Sequence, residues 1–111
     1  MKSKALTPLP GHPVRGSRSG RPLMVVLDLL GRRSALRLLW ELRGEALTFR
    51  ALQEAAETNP SLLNTRLKEL REAGLVAHDP GGYHLSPSGR SLLQALQPLS
   101  DWARQWAGVP P

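Results

Sequence analysis

The chain has 111 residues, of which 41% are hydrophobic and 22% are charged, and this ordinary balance predicts one small globular domain. It contains no cysteine, which excludes disulfides, thiolate metal sites and cysteine-based redox sensing. The formal charge of +6 suggests an anionic partner, but the distribution of that charge matters more than its sum.

The basic excess lies at the N-terminus. Residues 1–22 hold five basic residues and no acidic one, which leaves ten basic and nine acidic residues in the rest of the chain. The same segment is rich in proline and glycine, a composition that buries too little apolar surface to order itself alone. We therefore expect a disordered basic arm over residues 1–20, a folded domain over 21–107 and a short tail over 108–111.

The first predicted helix follows Pro22 and reads LMVVLDLLG, which is apolar on nearly every side. Such a helix must pack centrally or against a second subunit. The segment is too short to span a membrane, and it carries Asp28 and is followed by Arg32 and Arg33 instead of a signal-peptide cleavage site. These features predict a cytoplasmic protein with no membrane partner.

Two further helices are expected before residue 57. Gly31 ends the first helix, and Ser34 is a plausible N-cap for a second helix that ends near Gly44 and carries Leu36, Leu39 and Trp40 on one face. The third helix begins at Thr48 and turns its apolar residues inward, namely Phe49, Leu52 and Ala56. Only a short turn separates it from the next helix, an arrangement typical of a helix-turn-helix.

The fourth helix has clear signals at both ends, since Asn59 is a good N-cap, Pro60 suits the first turn and Gly74 can close the last turn near residue 73. Its leucines, Leu63, Leu67 and Leu70, fall on one stripe. The opposite face carries short polar side chains and one lysine, namely Ser61, Asn64, Thr65 and Lys68.

A hairpin and a terminal helix complete the predicted order. LVAH and YHLS read as strands around the tight-turn sequence DPGG, and Ser86 with Pro87 opens a helix whose apolar residues alternate at spacings of four and three. Pro98 predicts either a kink or a second helix with that proline in its first turn. His78 and His84 flank the turn, but two imidazoles without a third ligand make a poor metal site, so we expect no metal and no cofactor.

Several of these strings, in this order, resemble the HxlR-type winged-helix transcriptional regulators. They are RSGRPLMVVLDLLG, LTFRALQEA, NPSLLNTRLKELREAGLV, YHLSPSGRSLLQAL and DWARQW, which together run from about residue 18 to 107. The resemblance implies a mainly α fold with a small β-hairpin, the α+β winged helix-turn-helix, and homodimeric repressors or activators whose fourth helix enters DNA. It also implies a dimer interface made by the first and terminal helices, here Leu23, Val26, Leu27, Leu92, Leu96, Leu99, Trp102 and Trp106.

Three positions depart from that pattern. Arg21 stands where many relatives have a cysteine used in thiol sensing, so that mechanism is excluded here. Arg33 stands where the family often has tryptophan, which changes packing or solvent access at the start of the second helix. The hairpin loop is short, and its tip HDPGGYH carries Asp79 but no arginine or lysine, so a conventional phosphate-binding wing is not expected.

On this reading, the polar face of the fourth helix contacts base edges through Ser61, Asn64, Thr65 and Lys68. The predicted phosphate contacts are Arg32, Arg33, Arg50, Arg66 and His84, with Arg15, Arg18 and Arg21 added by the arm. Other roles stay open. Ser61 could help to cap the helix, Lys68 could pair with Glu72, Arg66 could be an internal ion-pair partner, and the arm could be a solubilising tail without DNA contacts.

The function predicted from the sequence is a sequence-specific regulator that binds double-stranded DNA as a homodimer on an inverted repeat. A winged-helix module that binds a protein partner is the alternative, because the chain after residue 22 is nearly neutral. An enzyme is not expected, since no nucleophile, base and orienting group occur together and no glycine-rich phosphate loop is present. The sequence names no small-molecule effector.

Overall fold

Five helices and one hairpin follow each other in the computed structural model, which describes residues 7–110. The elements are α1 (Pro22–Leu30), α2 (Ala35–Glu41), α3 (Phe49–Ala55), α4 (Pro60–Glu72), β1 (Val76–Asp79), β2 (Gly82–Leu85) and α5 (Pro87–Trp106). The predicted mainly α fold with a small hairpin is confirmed. No helix among the described residues is both long and apolar enough to cross a membrane.

A core of leucines joins α2, α3, α4 and the hairpin. Its largest fully buried side chains are Leu38, Leu39, Leu42, Leu52, Leu63 and Leu70. Each such burial stabilises the fold by about 1.5–3 kcal/mol relative to an exposed side chain. Val76 and Leu85 face each other across the antiparallel strands and are buried in the same cluster, so the hairpin is held on the end of α4.

The predicted inner face of α2 is partly wrong. Leu39 is buried, but Leu36 and Trp40 are exposed. The buried positions of this helix are instead Ala35, Leu38, Leu39 and Leu42. They follow the i, i+3, i+4, i+7 spacing of a single stripe, which places Leu36 and Trp40 on the outer side.

Side chains cap three of the helices, and two of these caps, Asn59 and Ser86, are those that the sequence predicts. Thr48, Asn59 and Ser86 each accept a hydrogen bond from the main-chain N–H three residues further on, at 2.8–3.1 Å. Gly74 closes the end of α4 at φ +77°, a conformation that glycine adopts without strain. Ser34 precedes α2 but makes no cap bond, because its own φ of +69° is left-handed and differs from the extended conformation of a usual N-cap.

Residues 11–20 form a closed loop, which we call the N-terminal loop. The Gly11 N–H donates to the Gly20 carbonyl at 3.1 Å, and Val14 and Ser17 exchange two main-chain bonds of 2.8 and 3.0 Å. Gly20 is buried at φ +70°, and a Cβ atom at this position would lie 2.3 Å from the His12 carbonyl oxygen. Only glycine therefore fits where the loop closes.

The N-terminal loop and the residues before it lie against the domain. The Thr7 hydroxyl donates to the Glu72 carboxylate of α4, and the Arg15 N–H donates to Asp28 of α1 at 3.4 Å. The structure thus differs from the expected disordered arm between residues 7 and 20, because the prolines and glycines form hydrogen-bonded turns instead of an extended tail. The first six residues of that predicted arm, like residue 111 of the predicted tail, lie outside the described residues.

The terminal helix α5 is a single helix with Pro98 inside it, so a separate helix beginning at Pro98 is not found. Proline donates no hydrogen bond, which leaves the carbonyl of Gln94 without its helical partner. Both residues are exposed, so water can take the place of that partner. The helix therefore carries its apolar residues in one continuous row.

Candidate nucleic-acid interface

The four predicted base-contacting residues share the outward face of α4. Ser61, Asn64, Thr65 and Lys68 are all exposed, while the leucines on the other side of the helix are buried in the core. The Thr65 hydroxyl donates to the Ser61 carbonyl at 3.1 Å. Within residues 7–110, no hydrogen bond or ion pair engages the side chains of Asn64 and Lys68. We call these four residues the reading face.

The alternative roles of two of these residues do not match the geometry. Asn59, and not Ser61, provides the side-chain cap of α4. Glu72, which could pair with Lys68, accepts a hydrogen bond from the Thr7 hydroxyl instead. Within the described residues, Ser61 therefore does not cap the helix through its side chain, and Lys68 does not pair with Glu72.

Two of the predicted phosphate contacts are bonded inside the protein. Arg32 lies 2.5 Å and Arg66 3.0 Å from separate oxygens of the Glu69 carboxylate, measured from one Nη1 atom of each arginine. Glu69 is a buried charged residue with an exposed fraction of only 5%. For Arg66 this geometry favours the internal ion-pair role, and Arg32 has the same partner.

The other predicted phosphate contacts lie at the surface to different degrees. Arg33 is exposed, and Arg50 is 90% exposed with only a loose pairing to Glu54 at 3.8 Å. His84 is half-buried on β2, and its Nδ1 atom lies 3.6 Å from an Asp79 carboxylate oxygen. Arg33 and Arg50 are therefore the predicted contacts that the structure leaves most accessible to a phosphate.

The hairpin presents an acidic tip. Asp79 accepts a hydrogen bond from the Gly81 N–H at 2.8 Å, which closes the turn. His78 stacks on Tyr83, with ring centroids 4.0 Å apart, while His84 pairs with Ala77 in the strand register. Neighbouring positions of a strand face opposite sides, so the two histidines do not meet. Among the described residues, no group of three potential ligands is placed to hold a metal.

A groove of about 690 Å³ separates the reading face from the hairpin, and Asn64, Lys68, His78 and Tyr83 are among its lining residues. The sequence does not single out Tyr83 as part of a site, and it leaves His78 as a phosphate-facing or solvated residue. The available signal was their position on one face of a hairpin that directly follows α4. An aromatic pair here can contact the sugar or base of a nucleic acid that occupies the groove.

One of the N-terminal arginines lies beside the reading face. Arg15, Arg18 and Arg21 are exposed. Arg15 lines a concavity of about 550 Å³ together with Arg33 and Thr65. This placement of Arg15 is not predictable from the sequence, because the proline and glycine content of the segment indicates a tail without fixed position.

Apolar side chains remain exposed on α1 and α5, as a second subunit would require. Those with more than about two fifths of their surface exposed are Leu23, Leu27, Leu99, Trp102 and Trp106. The remaining predicted interface residues, Val26, Leu92 and Leu96, are half-buried. The rings of Trp102 and Trp106 stack on each other 5.9 Å apart. This surface lies on elements other than the one that carries the reading face.

Comparison with known proteins agrees with this architecture. The family described as HxlR-like helix-turn-helix matches residues 29–110, which is most of the chain. The crystal structure of quinone-bound YodB from B. subtilis is similar, with a TM-score of 0.71 and 26% sequence identity over 75% of this chain and 96% of that chain. No curated protein shows significant similarity. The chain thus belongs to the HxlR-like helix-turn-helix family and has the fold of a DNA-binding transcription regulator.

Proposed function

We propose that the protein is a homodimeric regulator that inserts α4 of each subunit into the major groove of an inverted-repeat operator. The main support for this proposal is the reading face. It combines exposed side chains of base-contacting type with a helix that buried leucines hold firmly in place. A helix of this kind, preceded by a short helix and turn, is the reading element of helix-turn-helix proteins.

The side chains of the reading face suit different base edges. Asn64 can form two hydrogen bonds with adenine, and Lys68 can donate to the acceptors of guanine. Ser61 and Thr65 can bond to polar groups, and the Thr65 methyl group can contact thymine. One bidentate pair discriminates against the wrong base by about 1–3 kcal/mol.

The electrostatic share of binding comes mainly from outside the hairpin, whose tip is acidic. Arg33 and Arg50 are exposed and provide the first phosphate contacts. Arg15, which lines a concavity with Thr65, adds further positive charge beside α4, and the exposed Arg18 and Arg21 add to the charge of the N-terminal segment. Arg32, Arg66 and His84 support these contacts mainly through their bonds within the protein.

The exposed apolar residues of α1 and α5 provide the dimer interface. In a two-fold dimer the two α4 helices meet successive major grooves, roughly 34 Å apart, so the half-sites are centred about ten base pairs apart. YodB is described as quinone-bound. Because the present chain has no cysteine, any small-molecule effector binds it without a bond to a thiol.

A gel-shift experiment with the upstream region of its own gene, extended by genome-wide footprinting, tests the proposal. We expect retardation that survives excess competitor DNA, and footprints centred on inverted repeats. Equal affinity for an isolated half-site would contradict the dimeric mode. Absence of any sequence preference would favour the second candidate, a module that binds a protein partner, which the nearly neutral charge of the chain after residue 22 supports.

A further inference from the structure

A buried carboxylate lies on the flank of α4, one helical turn after Thr65 of the reading face. Glu69 is 5% exposed, and its two oxygens are held by different arginines, Arg32 at 2.5 Å and Arg66 at 3.0 Å. Arg66 belongs to α4 itself, whereas Arg32 belongs to the loop between α1 and α2. A buried charge requires such partners, so Glu69 connects this loop to α4.

A second bond strengthens the connection. The Nε atom of Arg66 donates to the main-chain carbonyl of Arg33 at 2.8 Å, while its Nη1 atom holds Glu69. The planar guanidinium of arginine suits two directed bonds of this kind. The next residue, Ser34, has a left-handed φ of +69°, which is unfavourable for a residue other than glycine and has to be maintained by its surroundings.

These bonds fix the main chain of Arg33 while leaving its side chain in solvent. Arg33 is exposed and lines the concavity of about 550 Å³ that also contains Thr65, Arg66 and Glu69. Thr65 belongs to the reading face. The main chain that carries the Arg33 side chain is therefore fixed beside Thr65, on the same concavity.

We infer that Glu69 is a positioning residue for DNA binding. By binding Arg32 and Arg66, it orients Arg33 towards a phosphate beside the base that Thr65 contacts. This inference rests on the proposed function. It assigns a role to a residue that never touches DNA, and it explains why two arginines beside the reading helix are bonded internally.

A double-mutant cycle of Arg33→Ala and Glu69→Gln in the full chain tests the inference. The probe is a duplex of about 30 base pairs, long enough for two half-sites, selected by the wild-type protein from a random pool. In the wild-type background, Arg33→Ala should weaken binding by roughly fivefold to tenfold at 0.1 M salt and reduce the log-log salt slope by about 0.9 per protomer. In the Glu69→Gln background the same change should weaken binding by less than about twofold.

Arg50→Ala is the matched control, since Arg50 is exposed and has no bond to Glu69. Its effect should be the same in both backgrounds. If Glu69→Gln proves unfolded by circular dichroism, Arg66→Lys replaces it, because lysine keeps the charge but lacks the planar fork. Arg66→Lys should then reduce the effect of Arg33→Ala in the same way.

The possible outcomes separate the inference from the proposed function. Equal effects of Arg33→Ala in all backgrounds would overturn the positioning role while leaving DNA binding intact. The absence of any effect of Arg33→Ala in wild type would also overturn it. If the wild-type protein selects no sequence from the pool, the proposed function fails, and the inference fails with it.

Discussion

Asn64 and Lys68 have no side-chain partner within residues 7–110, in contrast to several other polar residues of α4. Thr65 bonds to a carbonyl of its own helix, Glu69 is held by two arginines, and Glu72 accepts from the N-terminal segment. A side chain without an internal partner has no protein bond to give up when it binds a base. Its DNA contact therefore exchanges only against water.

Replacement of Asn64 should affect specificity and leave stability unchanged. We expect Asn64→Ala to reduce the preference for operator over random DNA by about 1–3 kcal/mol, with unfolding free energy within about 0.5 kcal/mol of wild type. Fluorescence anisotropy with both duplexes measures the preference. Arg50→Ala is the control and should weaken binding to both duplexes alike. A uniform loss for Asn64→Ala would rule out base reading by this residue.

Replacement of Glu69 should destabilise the fold. Glu69→Gln leaves two arginines without their shared carboxylate, and we expect a loss of about 2–3 kcal/mol, below the full cost for a buried pair because both arginines retain some contact with water. Urea unfolding measures this loss. Glu54→Gln, at an exposed and loosely paired position, should cost less than about 0.5 kcal/mol. Similar values for the two variants would contradict the structural role of Glu69.

The sequence predicts the orientation of the reading face, because leucines at helical spacing fix which side of α4 is buried. It does not predict the partners of the flanking arginines. Arg32 lies 37 residues from Glu69, and Arg66 bonds to a carbonyl 33 residues away. A long arginine side chain can reach several possible partners, and the tertiary structure determines which of them it binds.

Among the elements, the N-terminal loop differs most from expectation. Its composition suggests disorder, since prolines and glycines bury little apolar surface. The same residues also form tight turns, and here the turns close on themselves and contact α1 and α4. Composition describes an average tendency, whereas one buried glycine with left-handed φ decides the local conformation.

The N-terminal loop should contribute to DNA binding through charge and through its closed shape. Removal of residues 1–20 eliminates Lys2, Lys4, Arg15 and Arg18 and should lower the log-log salt slope by up to about 3.6 per protomer. Gly20→Ala keeps every charge but places a Cβ atom against the His12 carbonyl, so we expect part of the same loss. Salt titrations of binding measure both effects.

Gly44→Ala is the control for the glycine substitution, because nothing lies within 4 Å of a Cβ atom at that position. It should leave the slope unchanged. An unchanged slope after truncation would show that the loop does not contact DNA. Truncation with a strong effect and Gly20→Ala with none would show that its charge acts without the closed conformation.

The helix ends show how far local signals reach. Asn59 and Ser86 cap their helices as expected, because a cap depends only on neighbouring residues, and Thr48 caps α3 in the same way. Ser34 does not, since the loop before α2 is held by contacts from α4. The outer position of Trp40 was also missed, because the choice between two apolar stripes depends on which neighbouring helix packs against α2.

At the scale of the whole molecule, the reading face and the exposed apolar side chains lie on different elements. Arg15 of the N-terminal loop and Arg33 of the α1–α2 loop line a concavity with Thr65 of the reading face, while exposed apolar side chains occupy α1 and α5. Large aromatic side chains bury about 150–250 Å² each when covered. Two tryptophans and three leucines per subunit therefore supply much of the roughly 800 Å² per partner that a specific interface requires.

Substitution of a tryptophan in α5 should dissociate the proposed dimer. We expect Trp106→Glu to sediment as a monomer at concentrations where wild type is dimeric, because a charge would be buried at the interface. Its binding to the inverted repeat should fall to that of an isolated half-site. Trp40→Glu is the matched control, since Trp40 is also exposed but lies on α2. Dimeric Trp106→Glu would contradict the proposed interface.

The stacked pair on α5 has an optical consequence. The chain has three tryptophans, and Trp102 and Trp106 lie nearly parallel, with 9° between their ring planes, whereas Trp40 has the Arg43 guanidinium 3.9 Å above its ring. Parallel rings in contact couple their excited states and give a near-ultraviolet circular dichroism signal that an isolated indole lacks. In the proposed dimer that pair loses contact with water while Trp40 keeps it. The emission maximum of tryptophan fluorescence would thus report subunit association without any added dye.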